Sequence, residues 1–134
     1  MNCIDQILKQ EQIVSVRKKS HEELFAFFVK TDGDKEVIIG SDRLSIGTST
    51  RCSLEDIVFH KTINKCKELN ASGIILLHNH PKNIFNILLK PSEEDLDFTV
   101  AFYCMAKGHK VKLLDHLIVD SGARYYSFKE NDLI

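Results

Sequence analysis

The stretch ILLHNHP, residues 75–81, ends an apolar run with two histidines one residue apart. Successive side chains of a strand point to opposite faces, so His78 and His80 share a face and Asn79 takes the other. Pro81 lacks a backbone N–H and stops the strand, which leaves both imidazoles at an open edge. Zinc takes imidazole nitrogen and carboxylate oxygen at about 2.0–2.2 Å, and a hydrolytic site uses three protein ligands plus water. Asp95 is the best third ligand, because Ser92-x-x-Asp95 sits on the first turn of a helix that begins soon after the strand. An ion held in this way lowers the pKa of its water to about 7, and the natural reaction is hydrolysis. The same residues also have a purely structural reading. Ser92-x-x-Asp95 has the spacing of a capping box, and histidines at a strand end can be held by carbonyls or solvent.

The elements that must position these groups can be read from patterning. Ile4 to Lys9 has the pattern of a short helix, and EQIVSVRKK from Glu11 alternates as a first strand would. LFAFFVKT, Leu24 to Thr31, breaks at Asp32-Gly33 and resumes as EVIIG, Glu36 to Gly40, the pattern of a hairpin. Ser53 followed by Asp56 is a variant capping box, and Leu54, Ile57, Val58, Ile63, Cys66 and Leu69 keep helical spacing to about Asn70. Ser72-Gly73 ends that helix, and IILL, residues 74–77, is the short apolar run of a strand buried on both faces. Ser92 opens a second helix through Leu96, Val100, Cys104 and Met105 to Gly108. KVKLLDHLIVD and RYYSF then read as strands about a turn at Ser121-Gly122. This order predicts an α/β fold, a mixed sheet flanked by helices.

Composition bounds the function. The chain has 134 residues, 43% hydrophobic and 28% charged, with a formal net charge of −1. That length supports one substantial core, and the near-neutral charge gives no general polyanion-binding signal, so nucleic acid is not supported as a partner. Arg17, Lys18 and Lys19 are read as a solvated surface cluster. Cys3, Cys52, Cys66 and Cys104 are scattered without a CxxC pair, which suggests free thiols. MNCIDQILKQ lacks the pattern of a signal peptide, and no run approaches the roughly 18 apolar residues of a membrane span. A cytoplasmic location and no membrane partner are expected.

HNHP, then PS-x-x-D, then LLDHLIV and YYSF resemble, in order, the RadC family of JAMM (MPN-type) metalloprotein domains. The resemblance covers residues 18–134 and leaves 1–17 as an N-terminal segment. It implies the JAB/MPN fold, shared with the cytidine deaminases, and zinc held by His78, His80 and Asp95. It also implies an upstream glutamate base in an E-x-F register, for which Glu23-Leu24-Phe25 is preferred over Glu22, and an oxyanion-binding role for Ser92. Gly47-Thr48 matches the family's GT. Asp115-His116 matches its DH and is read as structural, not as ligands.

Two departures stand out. PKNIFNILLKPS is longer than the family's usual glycine-containing loop and carries Ile84, Phe85, Ile87, Leu88 and Leu89, which either dock on the core or form a lid or partner-binding loop. The helix-hairpin-helix extension usual in the family has no counterpart in these residues, so no DNA contact is carried over from it, and a minimal domain is expected. The expected activity is a zinc metalloprotease-type hydrolase acting on a peptide or isopeptide-like amide. The competing readings are a protein of DNA repair that acts on or binds DNA, and a scaffold without turnover. The consecutive letters HNH are not the nuclease motif of that name, and the zinc deaminase signature is absent.

Overall fold

The structure, a computed structural model, describes residues 2–46, 54–81, 88–122 and 124–134. Helices α1 (Cys3–Leu8) and α2 (Glu11–Val16) lead into strands β1 (Glu23–Asp32) and β2 (Lys35–Ile46). Helix α3 (Asp56–Glu68), strand β3 (Gly73–Asn79), helix α4 (Glu93–Gly108) and strands β4 (Leu113–Val119) and β5 (Tyr125–Ser127) follow. The strands form one sheet in the order β2-β1-β3-β4-β5, parallel between β3 and β4 and antiparallel elsewhere. The fold is therefore α/β with a mixed five-stranded sheet flanked by helices, as the patterning predicts.

The two faces of the sheet carry separate cores. Leu24, Ala26, Phe28, Ile74 and Leu76 pack with Phe59, Ile63 and Cys66 of α3 and with Phe102 and Ala106 of α4. Phe25, Phe27, Val29, Ile75 and Leu77 pack on the other side with Ile7 of α1 and Ile13 and Val16 of α2. Because both parities of β1 and β3 are apolar, these central strands are covered on both faces. Among the described residues no helix is long and apolar enough to cross a membrane.

The hairpin is longer than its sequence signal, running through Asp42 and Arg43 to Ile46 with register shifts at Leu24/Phe25 and Phe28/Val29. Its turn places Gly33 at φ +63° and pairs Asp32 with Lys35, so the first loop position takes the left-handed conformation that glycine tolerates. The expected first strand from Glu11 is instead α2. Ile13 and Val16 are buried three residues apart while Val14 is exposed, a helical period that short apolar alternation resembles. Arg17 is not a solvated surface cation either. Its Nη1 donates to the carbonyls of Asp120, Gly122 and Arg124 at 3.2, 2.6 and 3.0 Å, which ties the end of α2 to the β4–β5 connection. Ser53 and Gly47-Thr48 lie outside the described residues. Helix α3 starts at Asp56, and Glu55 at its N-cap makes no side-chain capping bond.

At the start of β3 the backbone runs hard against its neighbour. A Cβ on Gly73 would stand 2.6 Å from Leu114 Cγ and 2.7 Å from the Lys112 carbonyl oxygen, which itself accepts the Ile74 N–H. That carbonyl cannot yield without breaking the β3–β4 pairing. Gly73→Ala is expected to destabilise the fold by about 1–3 kcal/mol, the usual cost of overpacking, read as a lowered urea midpoint at constant slope. An unchanged midpoint would show that the strands can separate freely at this point.

Candidate metal centre

The site stands where β1 and β3 meet the start of α4. Leu24 pairs with His78 across the antiparallel β1–β3 ladder, so Glu22, two residues earlier, shares the face of His78, Leu76 and the α3/α4 core. His80 follows the strand end, and its N–H still bonds to the Val119 carbonyl at 2.8 Å. The ring centroids of His78 and His80 are 5.0 Å apart. Glu22, His78 and His80 each offer a ligand atom within 4.8 Å of the others.

Helix α4 supplies Asp95 to the same point. Its Oδ2 lies 2.9 Å from His80 Nε2, and its Oδ1 lies 3.3 Å from His78 Nε2 without hydrogen-bond alignment. The capping box is also present: Ser92 Oγ accepts the Asp95 N–H at 3.1 Å, and Asp95 Oδ2 accepts the Ser92 N–H at 3.0 Å. The capping-box reading of Ser92-x-x-Asp95 is therefore met, and the cap holds the carboxylate where the imidazoles reach it. Burial works against the Asp95 charge, yet the close approach of the His78 and His80 rings and the hydrogen bond from the Ser92 N–H outweigh it and hold the carboxyl well below its usual range. Burial also pushes His78 down, only partly offset by Asp95, so this imidazole is held neutral as a metal ligand must be.

Glu23, the glutamate preferred on sequence grounds, faces away. It stands opposite Asn79 in the ladder, on the other side of the sheet, where its Oε1 pairs with Arg43 at 3.1 Å and its Oε2 lies 3.8 Å from His21. The correction follows from strand parity: two neighbouring glutamates on a strand cannot both face His78. Asn79 anchors this arrangement. Its Oδ1 accepts the Glu23 N–H at 2.7 Å and its Nδ2 donates to the His21 carbonyl at 2.9 Å, pinning the backbone on both sides of Glu22.

Whether these residues suit a cation is tested by two buried atoms. Among the described residues, Glu22 Oε2 and His78 Nε2 have no hydrogen-bond partner. Once Glu22 is ionised, its carboxylate and the unprotonated imidazole nitrogen are both acceptors, so neither satisfies the other, and such orphans are costly when buried. Two imidazole nitrogens with two carboxylates form a donor set that suits zinc.

His116 and Thr99 complete the surroundings and were not singled out as site residues by the patterning. His116 Nε2 is 2.7 Å from His78 Nδ1, and its Nδ1 is 2.6 Å from Thr99 Oγ1. Burial, followed by repulsion from His78, pushes His116 well below its ordinary pKa, so it too is held neutral. Asp115 is structural: its carboxylate accepts the Ser127 hydroxyl at 2.6 Å and the His116 and Lys129 N–H groups at 2.7 and 3.1 Å. Of the apolar loop, residues 82–87 lie outside the described residues, while Leu88 is exposed.

Burial, and secondarily the Asp95 charge, pushes Glu22 up to about 7, with His80 opposing. A carboxyl with a raised folded pKa binds its proton more tightly in the fold than in the unfolded chain. Its contribution is fully present below the unfolded value of 4.5 and is lost as pH rises through about 7. Without metal, the stability difference between Glu22→Gln and the parent should therefore move in favour of the variant by up to about 3 kcal/mol between pH 4 and pH 8. Parallel pH profiles in urea titrations would contradict a buried carboxyl at this position.

The RadC-like JAB domain family matches over residues 4–133. A UPF0758 protein of Fusobacterium nucleatum is 34% identical over 118 residues, which cover 87% of this chain and 47% of that protein. A UPF0758 protein of Clostridium acetobutylicum is 33% identical over 129 residues, 95% of this chain and 49% of that protein. The chain spans about half the length of these two curated relatives. With a match that takes in the sheet, both flanking layers and every residue of the candidate centre, the chain belongs to the RadC family as a RadC-like JAB domain.

Proposed function

We propose that this domain is a zinc-dependent hydrolase of amide bonds in a peptide or isopeptide-like substrate. The observation that carries the reading is the convergence of Glu22, His78, His80 and Asp95, with two buried acceptor atoms, Glu22 Oε2 and His78 Nε2, left unpartnered. His78, His80 and Asp95 would hold the ion, which when bound supplies a Lewis acid and a water acidic enough to react near neutral pH.

The remaining roles belong to the chain. Glu22 Oε2 is the atom placed to take a proton from the attacking water and return it to the leaving amine nitrogen. A carboxylate this close to the water on such an ion can carry out both directions of that transfer. Ser92 Oγ accepts the Asp95 N–H, which leaves its own hydroxyl proton for the oxygen that gains charge as the carbonyl is attacked. Glu23 takes no part, being across the sheet with Arg43. The free thiols Cys3, Cys66 and Cys104 suit a reducing compartment such as the cytoplasm, where we place the protein.

Zinc-replete purification should yield about one zinc per chain, lost in His78→Ala and Asp95→Asn, as the three-ligand site requires. Against a panel of fluorogenic peptide and isopeptide substrates, Glu22→Gln should keep its zinc and lose at least about 100-fold in kcat, the lower range for a missing general base. Glu23→Gln should leave turnover unchanged. A metal-free parent, or equal losses from the two glutamates, would sink this reading. Cleavage of DNA by the zinc-loaded parent, abolished in His78→Ala, would replace it with a nuclease.

A further inference from the structure

Behind His78 runs a chain of contacts whose protons can be assigned by counting. Thr99 Oγ1 donates to the Asp95 carbonyl oxygen one turn back in α4, at 2.7 Å. A hydroxyl has one proton, so at its 2.6 Å contact with His116 Nδ1 it must accept, and Nδ1 carries the hydrogen. A neutral His116 then has a bare Nε2. Its 2.7 Å contact with His78 Nδ1 is a hydrogen bond only if His78 donates. That leaves His78 Nε2 without a proton, which agrees with its lying 3.3 Å from Asp95 Oδ1 in no hydrogen bond.

The ring in the middle of this chain is also held in place. His116 stacks on Phe128 with centroids 4.8 Å apart and planes 12° from parallel, and Phe98 meets it edge-on at 6.2 Å. It stands beside Leu76 in the parallel β3–β4 ladder and so faces the same core as His78. The DH and YYSF motifs, which the hydrolytic roles leave unused, meet at this ring.

We propose that Thr99 and His116 are positioning residues that lock His78 in its Nδ1–H tautomer and present Nε2 as a bare lone pair to a cation. The metal side of this proposal rests on the zinc reading above, whereas the tautomer does not. The relay begins at the backbone of one ligand, Asp95, and ends at the ring of another, His78. It therefore couples the helix and the strand that hold them. Partners of this kind behind a metal-binding histidine set both ring orientation and basicity.

The test uses the whole chain. In metal-free protein at pH 7.5, with the six histidines assigned by single replacement, ring ¹⁵N NMR should show His78 as Nδ1–H. Thr99→Ser should keep that form, and Thr99→Val, which has no acceptor for His116, should populate Nε2–H. Zinc affinity, measured by competition with a chromophoric chelator, should fall about 10- to 100-fold in Thr99→Val and His116→Phe and return in Thr99→Ser. Circular dichroism would establish that the variants are folded, and if both fail to fold, the tautomer of the parent decides. An Nε2–H form of His78 in the metal-free parent, or unchanged zinc affinity in both folded variants, overturns the proposal. A parent that shows Nδ1–H but binds no zinc would end the zinc reading and leave the relay standing.

Discussion

The pairing of Leu24 with His78 is the constraint on which the candidate centre depends. A strand alternates faces with a period of two, so a slip of one residue between β1 and β3 would carry Glu22 across the sheet and bring Glu23 to the histidines. The backbone ladder alone resists such a slip weakly, since both parities of β1 are apolar and would bury well in either setting. Asn79 adds a side-chain tie to this pairing. Its side chain bonds to the Glu23 N–H and the His21 carbonyl, two backbone groups that bracket Glu22 and hold it beside the histidines in the observed register. The middle letter of HNH thus braces the backbone of the carboxylate that meets the flanking histidines.

The centre concentrates polar groups that would destabilise an ordinary core. Glu22, His78, Asp95, Thr99 and His116 are all buried. Asp95 resolves its own cost locally, because the helix that buries it also offers the Ser92 N–H, and His80 approaches from the strand. His116 is settled by Thr99 and His78. Glu22 Oε2 and His78 Nε2 are the atoms this network does not reach, and they sit where a ligand set converges. A network complete except at one point, with acceptors on both sides of that point, stores its deficit where a cation would relieve it.

Much of this was legible in the sequence, and the failures have physical causes. The hairpin, α3, α4, the short buried β3 and the β4–β5 return follow from turn residues, capping and period, and HNHP with PS-x-x-D marks the residues now found around one point. Two neighbouring glutamates before LFAFFV could not be told apart, because a strand apolar on both faces has no alternation to show which parity faces the histidines. The α2 segment misled for a related reason: over six residues, Ile13, Val14 and Val16 satisfy a strand and a helix almost equally, and only tertiary burial decides. His116 was placed on its strand by LLDHLIV, but its hydrogen bond to His78 crosses from β4 to β3, a contact that no local period encodes.

The long segment between His80 and Ser92 can now be weighed differently. In sequence it separates His78 and His80 from Asp95 by a loop longer than the family's usual one and without glycine. In space these residues are joined by direct contacts, His80 to Asp95 at 2.9 Å and His78 through His116 and Thr99 back to the Asp95 carbonyl. The parallel β3–α4–β4 unit fixes where α4 begins by packing Phe102 and Ala106 on the same core as Leu76. The candidate centre is held by one strand–helix–strand unit plus the Asn79 clamp on β1, through contacts made by His78, His80, Asp95, Thr99 and His116 themselves.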